Sequence, residues 1–523
     1  MKSDSGKTVS TWMGVDSTLP QDSAPVESPV DVCVIGGGIS GMSVAYLLAR
    51  DGRSVVVIDD GPVGGGETAR TSAHLSSAID DGFVRIEKIH GPEGARLAHA
   101  SHAAAIDCIE SIVRDENIDC EFQRVDGFLF QAPGTSPEEL ALEYAAAQRA
   151  GAKVEAFPRS PVPGLALGPC LRFAGQAQMH PMLYLRGLCQ AFLRRGGRIQ
   201  CGVRAEAVHD GEPVRIELQG GRILEARSVV VATNSPFTTL FAMHTKQAPY
   251  RTFVIGADCP RGGIPNVLMW DTADPYHYVR TVPSRTPDGL DLLLVGGEDH
   301  KTGQADDGPE RFQRLERWMR ENFPGAETVR YRWSGQVLET LDGLAYIGRE
   351  PGAKHIYLST GDSGMGLTHG TIAGMLLTDL IQGRDNPWSD LYAPDRKPVK
   401  ATGEFLRENL NVAAQFADHV KPGQAQDEDA IPNGSGAVLR RGMHLVAAYR
   451  DGDGHLHERS AVCTHLGCIV HFNSTETTWD CPCHGSRFGV DGQVLNGPAS
   501  KPLGEAELGM PQGVGSVDLR PAQ

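Results

Sequence analysis

The sequence lacks any uninterrupted apolar run of about 18 residues, so it predicts no membrane-spanning helix. Its first 28 residues are polar and contain neither the apolar core of a secretory signal nor a twin-arginine pair, so we expect a cytoplasmic protein. Basic residues are in the minority, with 49 Lys and Arg against 65 Asp and Glu and a net charge of −16. This balance disfavours nucleic acids and anionic membrane surfaces as partners.

Cysteine is scarce, with 11 residues in 523, which excludes a disulfide-rich scaffold. Four of the eleven lie between Cys463 and Cys483, whereas the other seven are scattered. Glycine is abundant, with 62 residues that often cluster, and such backbone can approach phosphates or cofactors closely. A length of 523 residues corresponds to roughly three domains. We therefore treat the two ends of the chain as separate functional units.

The first unit opens with a strand–helix–strand pattern over residues 31–59. A short apolar run leads into G-x-G-x-x-G at Gly36, Gly38 and Gly41, and a helical stretch and a second strand follow, ending at Asp59. The first glycine makes the tight turn, the second lets a pyrophosphate approach the backbone, and the third lets the helix pack closely on the strand. The pyrophosphate then lies at the helix N-terminus and Asp59 is placed to bind a ribose hydroxyl. The pattern predicts a dinucleotide site, either for NAD or for FAD.

Four further segments narrow this choice. They are a glycine-rich loop at 61–74, a strand with a small polar turn at 228–234, the segment 332–348, and a strand, glycine turn and helix at 356–381. In this order they resemble the FAD-dependent amine and amino-acid oxidoreductase superfamily, which contains D-amino-acid, glycine and sarcosine oxidases. The resemblance implies an α/β, Rossmann-like FAD-binding domain of the glutathione-reductase type with an inserted antiparallel β substrate domain. It also implies an FAD-dependent oxidoreductase.

The same resemblance assigns residues to the cofactor. Gly36, Gly38 and Gly41 would hold the pyrophosphate and Asp59 the adenosine ribose. The glycine turn within residues 356–381, here called the late glycine turn, would place backbone amides and a helix N-terminus beside the flavin N1–C2=O edge. Reduced flavin carries negative charge at this edge. No Cys or His stands in a clear attachment motif, so non-covalent binding is expected. The other implied FAD contacts are Arg70, Thr71, Ala232, Thr233, Gly361, Met365, Gly366, Leu367 and Thr368.

Candidate substrate residues lie in the inserted part. Tyr276, Tyr278 and Arg280 alternate along a predicted strand, with His277 on its other face. Arg280 either clamps a substrate carboxylate through two hydrogen bonds or belongs to a structural edge strand, and the sequence leaves both open.

Two histidines and one departure from the family pattern also concern the substrate. His74 and His369 are expected to be the titratable residues nearest to the flavin. Each is either a catalytic group or a structural residue, and the sequence leaves both roles open. Amino-acid oxidases of the superfamily often carry an Arg in the segment where Gln336 and Val337 stand here. This departure argues against an ordinary amino-acid substrate.

The second unit carries four side chains with metal-ligand spacing. Cys463 and His465 form C-x-H, and Cys481 and His484 form C-x-x-H, which together offer two thiolates and two imidazoles. Such a set suits an iron–sulfur cluster or a zinc ion. The pattern resembles the Rieske [2Fe–2S] family over about 90 residues. By that resemblance, the two cysteines bind one iron and the two histidines bind the other.

The Rieske resemblance implies two further features and a small all-β domain. Cys468 and Cys483 match the pair that forms a disulfide between the cluster loops in Rieske proteins of the respiratory type. Gly497-Pro498 matches a third loop that covers the cluster. The expected organisation is a polar extension at 1–29, an oxidoreductase domain at 30–395, a helix and linker at 396–430, and the Rieske domain at 431–523.

The combination of cofactors suggests a function. Flavin accepts two electrons at once, whereas a [2Fe–2S] cluster carries one at a time. We expect oxidation of a C–N bond in a small amine or amino acid, with electrons leaving singly through the cluster to an external acceptor protein. Two alternatives are inward flow from a ferredoxin-type carrier, for a reductive or monooxygenase reaction, and a plain oxidase with a structural Rieske module.

Overall fold

The computed structural model describes residues 5–14, 29–162, 167–238, 243–286, 289–397, 402–425 and 427–506. Part of the expected polar extension and the end of the expected Rieske domain, at 15–28 and 507–523, lie outside the described residues. Among the described helices, none is both long enough and apolar enough to cross a membrane.

A parallel sheet forms the centre of the first unit. Its strand Val30–Ile35 pairs in parallel with Val55–Asp59 on one side and with Arg222–Val231 on the other. These apolar, β-branched runs are largely buried, as expected for strands that are covered on both faces. The spatial order is Tyr346–Arg349, Ile356–Thr360, Arg222–Val231, Val30–Ile35, Val55–Asp59 and Arg198–Cys201, with Ala205–His209 and Val214–Leu218 joined to Arg222–Val231.

A nine-stranded second sheet confirms the inserted β domain. Its pairs are antiparallel except that Leu268–Asp271 runs parallel to Gln123–Phe130. The spatial order is Val329–Thr340, Gln247–Cys259, Asp291–Lys301, His277–Val282, Leu268–Asp271, Gln123–Phe130, Cys170–Gln178 and His74–Leu75, with Val154–Phe157 on Cys170–Gln178.

Two helices pack closely beside the parallel sheet. They are Ile39–Arg50 and Gly366–Ile381. Gly370 and Gly374 permit the approach, because a Cβ on either would come within about 3 Å of the first helix. The other α-helices are Phe83–Asp115, Pro137–Arg149, Pro181–Arg194, Gly308–Asn322, Ser389–Tyr392 and Thr402–Gln415.

The C-terminal unit consists of two small antiparallel sheets, which confirms the all-β Rieske fold. The first sheet contains Ser435–Arg441, His444–Arg450 and Leu456–Ser460, and the second contains His471–Asn473, Thr478–Asp480, Arg487–Phe488 and Val494–Asn496. Trp479 and Phe488 are fully buried in its core together with the clustered cysteines.

A buried ionic junction joins the two units. The Glu476 carboxylate, on a hairpin turn of the Rieske unit, lies 3.1 Å from an Arg70 guanidinium nitrogen and 3.2 Å from one of Arg251. It also accepts a hydrogen bond from the Ser334 hydroxyl. None of the three charged side chains is more than 1% exposed. Because these charges are buried, removing one of them would leave the others unpaired and out of contact with water, which destabilises the fold.

Residues 5–14, here called the N-terminal strap, lie across this junction. The Thr8 amide donates to Glu476 at 2.9 Å, and Arg70 donates to the carbonyls of Gly6 and Thr8 at 3.0 Å. Farther along, the Trp12 indole N–H donates to the Thr71 carbonyl at 2.6 Å, and Trp12 is 1% exposed. The strap therefore contacts both units, although its composition resembles that of an unstructured polar tail.

Replacement of Glu476 by Gln should destabilise the protein by about 3–5 kcal/mol, because two buried guanidinium groups lose their counter-charge. Burial raises the pKa of Glu476, but Arg70, Arg251 and Arg487 outweigh this effect and lower the pKa from 4.5 to about 2. The carboxylate therefore stabilises the fold fully above pH 4.5, and this contribution is lost as the pH falls towards 2. Denaturant titrations of the unchanged protein and of Glu476→Gln at several pH values should show that their difference in free energy of unfolding shrinks as the pH falls from 4.5 towards 2.

The control for this experiment is Glu93→Gln, which breaks an exposed pair with Arg96 and should change stability little. Equal stability of Glu476→Gln and the unchanged protein at neutral pH would show that the junction contributes nothing.

Candidate functional site

A cavity of about 340 Å³ lies at the carboxyl edge of the parallel sheet. Its wall includes Gly36, Asp59, Ala232 and Thr360, which lie at or just beyond the ends of four sheet strands. Ligands of open α/β sheets bind at this edge. The opposite wall comes from the second sheet and from residues 494–497 of the Rieske unit. All three parts of the molecule therefore bound one cavity.

The three glycines of the motif play separate roles. Gly36 has φ 111° and a Cβ on it would lie 2.3 Å from the Ala232 carbonyl oxygen. A Cβ on Gly41 would lie 1.9 Å from the Gly36 carbonyl oxygen, so this glycine lets the helix pack but does not line the cavity. Gly38 precedes the helix and lines the cavity, and its nearest neighbour would be the Thr68 hydroxyl at 3.2 Å. This cradle fits a pyrophosphate above a helix N-terminus.

Asp59 stands at the wall of the cavity with its orientation fixed. Its two carboxylate oxygens accept from the Gly37 amide at 2.6 Å and the Gly61 amide at 2.8 Å. Burial raises the pKa of Asp59 to about 6, although both bonds oppose the change. Ala232 and Thr233 line the cavity from the neighbouring strand end. The three residues suit the adenosine half of FAD.

The late glycine turn also reaches the cavity. Gly361 has φ 70°, and the helix that begins at Gly366 points its N-terminus to the cavity wall, which includes Met365 and Leu367. Thr368 lies behind this turn, where its hydroxyl donates to the Met365 carbonyl at 3.1 Å. Free amides at this end favour an anion.

His74 and His369 both line the cavity and both are held neutral. Burial, helped by Arg280, lowers the pKa of His74 to about 3. Burial also lowers the pKa of His369 to about 4. The His74 ring lies 3.0 Å from the Ser72 hydroxyl and 3.2 Å from the Val279 carbonyl.

The predicted strand residues separate into two groups. Tyr276 and Tyr278 line the cavity, and the Tyr278 hydroxyl bonds to Thr252 at 2.9 Å. Arg280 is 2% exposed and is not part of the cavity wall. Its guanidinium donates to the Ala73 carbonyl at 2.6 Å and to the Met179 carbonyl at 3.2 Å.

Arg70 and Thr71 both touch the cavity, but the Arg70 guanidinium is directed to the junction. One of its nitrogens donates to the Ser334 carbonyl at 2.8 Å and also bonds Glu476. Arg70 would therefore contact the flavin through its backbone and the aliphatic part of its side chain, not through its guanidinium group.

The four cluster residues converge in the Rieske unit. The His465 and His484 rings are 5.1 Å apart and nearly perpendicular. A hydrogen bond with Cys481 is the largest influence on Cys463 and lowers its pKa, and Ser486 contributes a further bond. His484 is neutral, because burial lowers its pKa to about 4, and its buried Nδ1 has no hydrogen-bond partner among the described residues. Adjacent thiols and a neutral, orphaned imidazole nitrogen fit a [2Fe–2S] cluster.

The surrounding loops hold the ligands in place. A disulfide joins Cys468 to Cys483, as expected. The Ser486 hydroxyl accepts from the Ala499 amide at 3.0 Å, so the third loop is fixed directly to a cluster loop.

Three contacts between the units were not predicted from the sequence. His244, on a short 3₁₀ turn of the first unit, packs 4.9 Å from the His465 ring and 6.1 Å from the His484 ring. Gln336 donates to the Gly485 carbonyl at 2.9 Å. Glu476 forms the junction. Each is an ordinary polar residue in the sequence, without a motif that distinguishes it.

Comparisons with known proteins agree with this geometry. The family described as FAD dependent oxidoreductase matches residues 31–380, and the Rieske [2Fe-2S] domain family matches residues 422–508. A Rieske 2Fe-2S iron-sulfur protein, YhfW, of Bacillus subtilis (strain 168) is 31% identical over 505 residues, which cover 95% of this chain and 97% of that protein. Gamma-glutamylputrescine oxidoreductase of Escherichia coli (strain K12) is 27% identical, over 70% of this chain and 86% of that protein.

Among solved structures, glycine oxidase from Geobacillus kaustophilus superposes with a TM-score of 0.58 at 18% identity, covering 70% of this chain and 99% of that chain. L-proline dehydrogenase from P. horikoshii gives a TM-score of 0.58 at 17% identity, covering 71% and 98%. At these identities the likeness concerns the fold of the first unit.

We expect Gly38→Ala to lower the FAD content of the purified protein by about tenfold or more while the fold is retained, since its Cβ would enter the cradle. Gly38 has an ordinary φ of −76°, so alanine introduces no backbone strain. The measurement is the flavin-to-protein absorbance ratio together with the circular dichroism spectrum. Gly325→Ala, on an exposed turn with no neighbour within 4 Å, is the matched control. Full flavin content in Gly38→Ala would contradict the assigned pyrophosphate position.

Proposed function

The chain belongs to the family of FAD-dependent oxidoreductases and carries a C-terminal Rieske domain, and from this premise we propose that it oxidises a C–N bond of a small amine or amino acid and delivers electrons singly to an external acceptor. FAD held by Gly36, Gly38 and Asp59 would supply a hydride acceptor, so that a C=N bond forms as the nitrogen loses a proton, and a [2Fe–2S] cluster held by Cys463, His465, Cys481 and His484 would supply a one-electron carrier. Water then hydrolyses the released imine.

One observation carries the proposal: a single loop serves both sites. Asn496, Gly497 and Ala499 line the dinucleotide cavity. The Ala499 amide binds Ser486, which in turn bonds the cluster ligand Cys463. This contact supports the proposal, because a cluster held by Cys463 would lie close to a loop that lines the cavity.

The residues around the cavity suit removal of a hydride. His74 and Tyr278 face it and are uncharged, so they can contact a substrate without placing an additional positive charge beside the reacting carbon. His369 and Arg280 act as positioning residues. His369 Nδ1 binds the Asp362 carbonyl at 2.8 Å, which holds the late glycine turn. Arg280 binds the carbonyl of Ala73, a residue with φ 62°, next to His74.

The relatives support the reaction class. The Escherichia coli relative is a gamma-glutamylputrescine oxidoreductase, and the structural neighbours are a glycine oxidase and an L-proline dehydrogenase. The Bacillus subtilis relative extends over both units, so the fusion with a Rieske domain occurs in that protein as well.

Replacement of His484 by Ala should abolish the cluster but leave reduction of bound flavin by substrate intact. We expect anaerobic amine or amino acid to bleach the flavin at a similar rate in both proteins, while reduction of a protein acceptor such as cytochrome c slows by more than about tenfold, because the single-electron route is lost. Absorbance stopped-flow measures both steps, and EPR measures the cluster.

His457→Ala, an exposed histidine of the same unit, is the control. Unchanged acceptor reduction in His484→Ala would favour a structural Rieske module. Flavin that is reduced through the cluster by a ferredoxin, but by no amine or amino acid, would establish inward flow instead.

A further inference from the structure

One end of the cavity combines aromatic rings with a carboxylate. Tyr276, Tyr278 and Trp270 line it together with Asp80. The tyrosine ring centres are 5.8 Å apart, and the Tyr276 hydroxyl lies 3.4 Å from an Asp80 carboxylate oxygen. Asp80 lines the cavity and retains accessible surface, and desolvation by the surrounding protein raises its pKa to about 6. Rings and a carboxylate facing one space are the components of an ammonium site.

Three further carboxyl groups lie near this end: Asp362 in the cavity wall, and Asp299 and Glu339 close enough to Asp80 to be affected by its charge. Burial raises the pKa of Asp299 to about 7 and that of Glu339 to about 8, and the charge of Asp80 adds to both shifts. Burial also raises the pKa of Asp362 to about 6. Asp299 and Asp362 each retain one buried carboxyl oxygen with no hydrogen-bond partner among the described residues. Because the acids repel one another electrostatically, a cation among them would be stabilised.

Positive side chains near the cavity are occupied elsewhere. Arg70 and Arg204 are the arginines among the described lining residues, and that lining contains no lysine. Arg70 is paired with Glu476, and Arg204 lies 3.5 Å from Asp60 near the adenosine end. Arg280 is directed to backbone carbonyls. Gln336 stands at the segment where amino-acid oxidases often carry an Arg, and it binds the Rieske unit.

Resting on the proposed function, we propose that the substrate is a diamine or polyamine without a carboxylate, whose second ammonium group binds between Asp80 and the rings of Tyr276 and Tyr278. The reacting nitrogen is the uncharged one, and its neighbouring carbon gives up the hydride. The product is an amino-imine, which water converts to an amino-aldehyde and ammonia or a smaller amine.

The energetics favour this class over amino acids. An ammonium on an aromatic face with a carboxylate partner gains both cation–π attraction and a charge-assisted hydrogen bond. A substrate carboxylate at the same place would face the Asp80 carboxylate, and the described cavity lining offers it no arginine at this end. The two negative charges would repel each other. A simple alkyl monoamine would fit, but it would leave the Asp80 carboxylate without an ammonium partner.

The test uses the holoenzyme and three amines built on the same four-carbon chain: putrescine, butylamine, and ornithine, which is putrescine with an added carboxylate. Anaerobic reduction of bound flavin should show the lowest half-saturating concentration for putrescine. We expect this concentration to be at least about tenfold higher for butylamine, which lacks the second ammonium, and for ornithine, which adds a carboxylate. Asp80→Asn should raise the value for putrescine by about tenfold and leave that for butylamine nearly unchanged.

A binding measurement separates recognition from turnover. Tetramethylammonium, which cannot be oxidised as a primary amine, should bind the holoenzyme by calorimetry and compete with putrescine, whereas acetate should not. Asp80→Asn should weaken this binding by about tenfold, and Tyr276→Phe, which keeps the ring, should weaken it less than Tyr276→Ala. Asp119→Asn, an exposed acid outside the cavity, is the matched control and should change nothing.

The outcomes distinguish this proposal from the proposed function. Preference for ornithine, glycine or proline over putrescine, or equal putrescine constants in Asp80→Asn and the unchanged protein, would overturn the proposal while oxidation of a C–N bond stands. Failure of every amine and amino acid to reduce the flavin would overturn both.

Discussion

The buried pairing of Glu476 with Arg70 and Arg251 determines how the two units are arranged. One carboxylate from a Rieske turn compensates two guanidinium groups of the oxidoreductase unit, and none of the three has access to water. Separation of the units would expose this network, but it would also remove the counter-charge from every member while the surrounding apolar surface opened. The N-terminal strap adds backbone hydrogen bonds to the same groups, so a third segment of the chain is fixed at this junction.

This arrangement gives the flavin cavity a wall that the oxidoreductase fold alone does not provide. Residues 494–497 of the Rieske unit line the cavity, and the cluster loops pack against the second sheet through Gly485, where an added Cβ would lie 2.5 Å from Pro249. His244 contacts both cluster histidines from the oxidoreductase side. The first unit therefore packs directly against the loops that carry His465 and His484.

Much of the fold and of both cofactor sites could be predicted because their signals are local. Gly36, Gly38 and Asp59 fall within one strand–helix–strand unit, and the cluster ligands come from two short loops, so spacing along the chain reflects spacing in the structure. The junction has no such signal, since Glu476 and Arg70 are 406 positions apart and each resembles a surface residue. The contacts of the strap could not be predicted for a similar reason. Thr8 and Gly6 bond to the junction through backbone groups, which the composition does not reveal.

Gln336 connects the arrangement of the units with the charge of the cavity. An arginine at this position would lie opposite the buried Arg251 in the sheet, against a Rieske carbonyl and beside the Glu67 carboxylate. A neutral amide satisfies the Gly485 carbonyl without adding a charge. The contact with the Rieske unit therefore occupies the position at which the family resemblance would place an arginine. The proposed ammonium site depends on this arrangement, because Asp80 lines the cavity while the two arginines of its described lining, Arg70 and Arg204, lie beside other acids.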